Sequence, residues 1–258
     1  MDLGIAGRRA LVLGGNRGMG LAIAQALAAE GARVAIAARD PAALDAAVAT
    51  LGPGAMAFPL DLMDTPGLDG FASKLGQAFG APEILVNNTG GPAYGGAAGR
   101  DPKDWTEAFQ GMGLAVIRLT DLFLPAMRQA GWGRVLTVVS TGAVQPLPVL
   151  GISNSIRAGI IAWSKTLSAE VAKEGVTVNI LMPGRVGTDR VHLTDAAAAA
   201  REGISQDAIR ARSWSQIPMG RYAEPAEVAA MAAFACSARA SYVTGSVLRV
   251  DGGFVRHV

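Results

Sequence analysis

A glycine-rich turn between an apolar run and a helical pattern is the feature that most constrains the fold of this chain. Residues 14–20 read Gly-Gly-Asn-Arg-Gly-Met-Gly, and they follow the buried-strand pattern Ala10–Leu13. Gly14 allows a tight turn, Gly18 lets the backbone approach a pyrophosphate, and Gly20 lets the following helix pack on the strand. The helix start offers free N–H groups to phosphates.

We therefore predict a dinucleotide cradle at this turn, with an ordinary strand-to-helix turn of a glycine-rich protein as the alternative. The residues assigned to it are Gly14, Asn16, Arg17, Gly18, Met19 and Gly20.

Strand-like runs alternate with helical stretches along the whole chain. The predicted strands are Ala10–Leu13, Val34–Ala38, Ala55–Leu60, Ile84–Val86, Val135–Val139, Val176–Leu181 and Val247–Val250. This alternation predicts an α/β fold with a doubly wound parallel sheet of the Rossmann kind. No linker or change of composition divides residues 1–258, so we predict a single domain. The alanine-rich segment from Arg185 to Trp214 is predicted to form a helical flap over the site.

Composition excludes several classes of function. The chain has 258 residues, 50% of them hydrophobic and 17% charged, with a formal net charge of +2. That charge is too small to indicate a nucleic-acid partner or an anionic membrane. No stretch reaches the length of a membrane span, and the start lacks a secretory leader pattern, so we expect a cytoplasmic protein. The single Cys236 rules out an internal disulfide and provides no metal cluster, and a buried core position is expected for it.

The end of the second predicted strand indicates which nicotinamide nucleotide would bind. A carboxylate at this point would hold the adenosine ribose hydroxyls and repel a 2′-phosphate, whereas arginine attracts that phosphate. Here Ala38 is followed by Arg39, and Arg17 of the glycine turn can reach the same space. We therefore predict NADP(H), with two solvated surface arginines as the alternative. Asp40 is a weak competitor, because it can instead cap a helix beginning at Pro41.

Three further strand ends are predicted to meet the same cofactor, since ligands of such folds bind at the carboxyl edge of the sheet. Asp61 could accept a hydrogen bond from the adenine amino group, or be merely an acidic residue of a loop. The segment after the fourth strand could follow the ribose, or form an Asx turn. The segment after the sixth could hold the nicotinamide amide. The residues assigned to these contacts are Asp61, Leu62, Asn88, Thr89, Gly90, Pro183, Gly184, Val186 and Thr188.

Taken together, these motifs resemble the short-chain dehydrogenase/reductase family, especially its 3-oxoacyl-carrier-protein-reductase-like members. The resemblance covers nearly the whole chain, including the segments 87–90, 183–184, 217–225 and 242–253. It implies a Rossmann subunit, a nicotinamide cofactor, a small-molecule substrate and a homo-oligomer, either tetramer or dimer. One small departure is Leu13, where the family usually has Thr.

The catalytic positions depart much further from the family. The family uses Asn, Ser, Tyr and Lys, with the Tyr and Lys four residues apart on one helical face. The resemblance places Ser140 at the Ser position, but it places Ser153 at the Tyr position and Arg157 at the Lys position. The Asn position is Met112. Arginine can keep the cation over the ribose, whereas a serine hydroxyl is a poor proton donor in reach and in acidity.

Two functions remain open from the sequence. The first is an NADP(H)-dependent oxidoreductase acting on a small, partly apolar carbonyl or imine. Ser140, Ser153 and Arg157 would then form the catalytic set, and a water molecule, Tyr94 or His192 would supply the proton. The second is an NADP(H)-binding sensor or scaffold subunit without turnover. A nucleic-acid binder is set aside, because the chain lacks both the charge and the motif.

Overall fold

The computed structural model describes residues 1–257, which form one seven-stranded parallel sheet with helices on both faces. The strands are β1 Arg9–Leu13, β2 Arg33–Ala38, β3 Met56–Pro59, β4 Ile84–Asn87, β5 Gly133–Val138, β6 Val176–Pro183 and β7 Val247–Val250. The helices are α1 Gly18–Ala29, α2 Pro41–Val48, α3 Leu68–Ala78, α4 Pro102–Phe109, α5 Ala115–Gln129, α6 Gly151–Val171, α7 Asp189–Glu202, α8 Gln206–Trp214 and α9 Pro225–Ala235.

The strand order β3-β2-β1-β4-β5-β6-β7 confirms the predicted doubly wound sheet. All seven strands were predicted, with ends that differ by at most two residues from those observed. The largest differences are at β5, which begins two residues earlier at Gly133, and at β6, which runs on to Pro183. Strand β6 continues because its last residues, Met182 and Pro183, stay in register with the neighbouring strand β7.

Apolar residues cover both faces of the sheet, as a doubly covered parallel sheet requires. Strand β1 shows the alternation directly: Ala10 and Val12 belong to the core beneath α1 and α9, whereas Leu11 and Leu13 belong to the opposite core beneath α3 and α5. Among residues 1–257, no helix combines the length and the apolar character needed to cross a bilayer.

The predicted flap is present as two helices, α7 and α8, which lie between β6 and α9. Its attachment is a buried polar cluster around Asp195, whose side chain is only 1% exposed. The Asp195 carboxylate accepts from the Tyr222 hydroxyl at 2.9 Å and from Arg185 at 3.3 Å. Because Tyr222 lies beyond the flap segment 185–214, its hydrogen bond to Asp195 holds the flap to the body of the domain.

Cys236 is fully buried at the end of α9, as expected for a core residue. Burial raises the pKa of the Cys236 thiol to about 12. At pH 8 we expect its reaction with a disulfide reagent such as Ellman's reagent to be on the order of 10³-fold slower than that of an exposed thiol, because the thiolate is the nucleophile. Absorbance at 412 nm measures the rate, and protein unfolded in urea is the control. Rapid labelling of the native protein would contradict this assignment.

Candidate functional site at the carboxyl edge of the sheet

The candidate site lies where chain order reverses in the sheet, between the neighbouring strands β1 and β4. In open parallel sheets this reversal leaves a crevice outside the carboxyl ends of the strands. The segments following β1, β2, β4, β5 and β6 all leave the sheet at this edge. The structure thus brings together the strand ends from which the sequence predicted a cofactor site.

The glycines of the β1–α1 turn occupy positions that side chains would block. Gly14 and Gly18 have positive φ angles of 62° and 54°. A Cβ atom on Gly14 would lie 2.8 Å from the Asn88 backbone oxygen, and one on Gly20 would collide with the Gly14 carbonyl oxygen. These contacts leave room only for hydrogen at the turn. The Asn88 amide also donates to the Gly14 oxygen at 3.4 Å and ties the β4 end to the turn.

The first turn of α1 is open to an anion. The helix begins at Gly18 with Arg17 as its N-cap, and no side chain in the described part of the chain caps it. By contrast, the N-terminus of α2 is capped by Asp40, which accepts from the Ala43 N–H at 3.2 Å. Free N–H groups and the helix dipole favour a phosphate at an uncapped helix start. The neighbouring Asn16 and Met19 side chains are half-buried beside this opening.

The predicted 2′-phosphate residues lie on the exposed side of the turn. Arg39 follows the last residue of β2, and both Arg39 and Arg17 are solvent-exposed. Within residues 1–257 neither side chain forms an ion pair with a carboxylate. Asp40 takes the capping role that the sequence offered as its alternative, so its carboxylate is already engaged.

The remaining predicted cofactor residues lie in the loops at this edge. Asp61 is exposed and accepts from the Met63 N–H at 3.0 Å, while Leu62 packs partly buried against the core beneath α3. After β4, Thr89 is half-buried and Gly90 is exposed.

The segment after β6 approaches the glycine turn. Gly184 lies so close to β7 that a Cβ atom on it would be 2.8 Å from the Asp251 Cα. Val186 is buried and pairs with Ala223 in an isolated parallel bridge. The Thr188 methyl group lies 3.5 Å from the position of a Cβ on Gly18. The start of the flap therefore borders the glycine turn of residues 14–20, here called the glycine cradle. Pro183, at the end of β6, begins the segment that leads to the flap.

Ser153 and Arg157 lie one turn apart on α6 and contact each other. Arg157 Nε donates to Ser153 Oγ at 3.3 Å, and its terminal nitrogens donate to the backbone oxygens of Val138 at 2.8 Å and Thr89 at 3.4 Å. Ser153 is 7% exposed. Desolvation lowers the pKa of Arg157 to about 10, with a further contribution from the positive charge of Arg190. The guanidinium remains the cation of this site at neutral pH.

Ser140 follows β5 and begins a short 3₁₀ turn, where its Oγ accepts from the Gly142 N–H at 3.2 Å. Met112, the position at which the family resemblance expects Asn, lies buried in a π-helical turn between α4 and α5. Met112 packs in an apolar cluster with Ile152 and Ile156 of α6. Apolar side chains therefore cover this side of α6, where an Asn at position 112 would form hydrogen bonds.

The structure adds three residues that the sequence analysis did not select. Asn154 reaches the same 3₁₀ turn, where its side-chain oxygen occupies the space that a Cβ on Gly142 would need. Thr194 of α7 shares a hydrogen bond of 2.8 Å with the Tyr94 hydroxyl. Arg190, also on α7, lies over the loop that follows β4. Their positions depend on packing between separate segments of the chain, and no local sequence motif indicates them.

Neither of the two side chains considered as proton donors from the sequence has a geometry that favours it over the other. Tyr94 is 48% exposed, and its hydroxyl is engaged with Thr194. His192 is exposed on α7, and its backbone oxygen accepts from Gln206 at 3.0 Å.

The doubly wound parallel sheet, with a glycine turn and an uncapped helix start at its reversal point, defines an α/β protein of the Rossmann class. Comparison with known proteins is more specific. A family model described as Enoyl-(Acyl carrier protein) reductase matches residues 14–255. The chain belongs to the short-chain dehydrogenase/reductase family, as its motifs predicted, and is an oxidoreductase of that type.

Relatives cover this chain over nearly its full length. The 3-oxoacyl-(acyl-carrier-protein) reductase FabG of Escherichia coli K12 is 33% identical over 249 residues, covering 96% of this chain and 97% of that protein. The D-beta-hydroxybutyrate dehydrogenase of Cupriavidus necator is 32% identical over 253 residues, covering 96% and 98%. The crystal structure of L-sorbose reductase from Gluconobacter frateurii, complexed with NADPH and L-sorbose, covers 100% of both chains with a TM-score of 0.95 and 32% identity.

Proposed function

We propose that this chain is an NADP(H)-dependent reductase that delivers hydride to a small, partly apolar carbonyl or imine by a proton path without the family's phenol. Three similar structures, those of L-sorbose reductase, of YwfH and of actinorhodin polyketide ketoreductase, are described as NADPH complexes or NADPH-dependent enzymes. The observation that carries the proposal is the Ser153–Arg157 pair, which lies beside Thr89 at the edge that also holds the glycine cradle.

The residues of this chain fit the proposed cofactor. Gly14 and Gly20 make close backbone contacts that a Cβ would block, Gly18 has a positive φ, and the uncapped start of α1 offers N–H groups to the pyrophosphate. Arg17 and Arg39 would hold the 2′-phosphate by charge-assisted hydrogen bonds. The loop residues Asp61, Leu62, Asn88, Thr89, Gly90, Pro183, Gly184, Val186 and Thr188 would line the remainder. Bound NADPH supplies the hydride.

Two serine hydroxyls would hold the substrate oxygen. Ser140 Oγ accepts from the Gly142 N–H, and Ser153 Oγ accepts from Arg157 Nε. Each hydroxyl therefore keeps its own hydrogen to donate to the substrate. As negative charge develops on the substrate oxygen, the positive charge of Arg157 stabilises it through Ser153. A solvent water molecule then delivers the proton, and an iminium substrate, already cationic, would need none.

We expect Ser140→Ala to lower kcat/KM for carbonyl reduction about 10- to 100-fold, because one donor to the developing oxyanion is lost. The measurement is NADPH oxidation at 340 nm against a panel of carbonyls and imines. Ser155→Ala is the control, because Ser155 lies on α6 near Ser153 but donates to the Gly151 backbone and lines a different, apolar groove. An unchanged rate for Ser140→Ala would remove Ser140 from the mechanism.

The same panel separates the two functions left open by the sequence. Binding of NADPH, seen as a shift of its fluorescence, without turnover of any carbonyl or imine would favour the sensor or scaffold. Tyr94→Phe and His192→Ala separate the proton sources, since both should leave turnover intact if water is the donor. The homo-oligomer, tetramer or dimer, stays a prediction that sedimentation velocity measures.

A further inference from the structure

We propose that Arg190 and Arg157 together form a carboxylate subsite, so that the substrate of this reductase is an oxo acid rather than a neutral carbonyl compound. This inference rests on the proposed function for the position of the reacting carbon. It adds the chemical class of the substrate and names a binding residue, Arg190, that the family resemblance did not indicate.

Arg190 stands apart from the other arginines of the flap. Residues 185–214 contain five arginines, and four of them lie within 4 Å of a carboxylate. Those four are Arg185, Arg201, Arg210 and Arg212. Arg190 has no such partner among residues 1–257, although it lies on the first turn of α7 next to Asp189. Its charge is therefore available to a ligand.

Arg190 is solvent-exposed, and its guanidinium lies against the loop at the rim of the site. One terminal nitrogen lies 2.9 Å from where a Cβ on Gly91 would be, and its central carbon lies 3.7 Å from the same point. The guanidinium is thus packed against the loop that follows β4, two residues beyond Thr89. Thr89 in turn accepts from Arg157. The two guanidiniums consequently flank one short backbone segment.

Among residues 1–257, Arg157 is likewise a cation with no carboxylate within 4 Å. Its three hydrogen-bond acceptors are the Ser153 hydroxyl and two backbone oxygens, all of them neutral. The nearby charge of Arg190 contributes to lowering its pKa. Two unneutralised guanidiniums repel each other, and an anion between them removes that repulsion and gains charge-assisted hydrogen bonds. A carboxylate offers two oxygens, one for each guanidinium.

The cofactor phosphates are the other anions that could meet Arg190. The proposed function already assigns the pyrophosphate to the uncapped start of α1, and the 2′-phosphate to Arg17 and Arg39, which follow β1 and β2. The guanidinium of Arg190 on α7 instead lies against the loop that follows β4, whose Thr89 accepts a hydrogen bond from Arg157. We therefore assign its anion to the substrate, and the experiment tests the cofactor as the competing source.

The first measurement compares 2-, 3- and 4-oxo acids with their methyl esters as substrates of the wild-type protein with NADPH. We expect at least one acid to exceed its ester about 10- to 100-fold in kcat/KM, as for a hydrogen bond to a charged group. Arg190→Gln should remove this preference while changing the ester rates less than about threefold, and Arg190→Lys should restore part of it. Arg210→Gln is the matched control, because Arg210 lies on the same flap but pairs with Asp207.

The second measurement needs no turnover. Malonate titrated into the NADPH-saturated protein by calorimetry should bind the wild type and the Arg210→Gln variant alike, and bind Arg190→Gln at least about tenfold more weakly. If Arg190→Gln weakens NADPH binding instead, and leaves both malonate binding and the acid-to-ester ratio unchanged, Arg190 serves the cofactor and the inference is wrong.

The two proposals can fail separately. If no carbonyl or imine is reduced but malonate binding still requires Arg190, the proposed reductase function fails and the anion site stands. If acids and esters are reduced equally and malonate binding ignores Arg190, the reductase function stands and the carboxylate subsite does not.

Discussion

Replacing Ser153 by Tyr together with Arg157 by Lys is expected to raise kcat for carbonyl reduction about 10²- to 10⁴-fold. That range is the usual contribution of a positioned proton donor. A phenol with a pKa near 10 reaches farther from the helix than a serine hydroxyl, and a lysine one turn later on α6 would hold its pKa down. The readout is NADPH oxidation with a neutral ketone, at matched protein and cofactor concentrations.

The two single variants are the controls for this gain. Ser153→Tyr alone should gain less than the double variant, and Arg157→Lys alone should not gain, because it supplies no acid. Since Ser153 is buried, NADPH affinity and the melting temperature must be measured to verify that each variant is folded. A folded, NADPH-binding double variant with unchanged kcat would refute the assignment of Ser153 to the proton-donor position.

Arg39→Asp is expected to weaken NADPH binding about 10³-fold while leaving NADH binding within a few-fold of the wild type. The substitution removes a charge-assisted contact to the 2′-phosphate and places a like charge beside it, and both changes act only on the phosphorylated cofactor. Fluorescence titration of both nucleotides gives the two dissociation constants. Asp40 is not expected to compensate, because its carboxylate caps α2.

Arg33→Asp provides a matched control for this experiment. Arg33 is exposed and lies at the first residue of β2, at the opposite edge of the sheet from Arg39. The charge change is identical, but the strand separates the two positions by roughly 20 Å, beyond a Debye length at physiological salt. We expect Arg33→Asp to change both affinities little. Equal losses of NADPH and NADH affinity in Arg39→Asp would contradict the assignment of Arg39 to the 2′-phosphate.

The predictable part of this fold consists of its local patterns. The seven strands were recognisable because a strand buried on both faces reads as a short apolar run wherever it lies in the chain. The glycine turn was recognisable for a related reason: Gly14 has a positive φ of 62°, and Gly20 lies against the Gly14 carbonyl within the turn itself. The exact ends of β5 and β6 were not predictable, because pairing with a neighbouring strand decides where each of them stops.

Asp40 shows where prediction from the sequence ends and the tertiary structure decides. The sequence left it open whether this carboxylate would compete for a ribose or cap the next helix. The structure places it as the cap of α2, within reach of the Ala43 N–H. Where a residue has two chemically reasonable partners, the geometry of the backbone that follows it decides which partner it takes.

The sequence by itself thus determined the parallel sheet and the family, and it predicts the glycine cradle and the Ser153–Arg157 pair, since each depends on residue type at short spacing. Only the tertiary structure decided that Arg190 of the flap lies beside the β4 loop, that Asn154 reaches the turn after Ser140, and that Tyr94 contacts Thr194. The Arg190 and Tyr94 contacts join segments roughly 100 residues apart in sequence. They form because the buried Asp195 cluster and the strand order hold the flap and the loops at one edge.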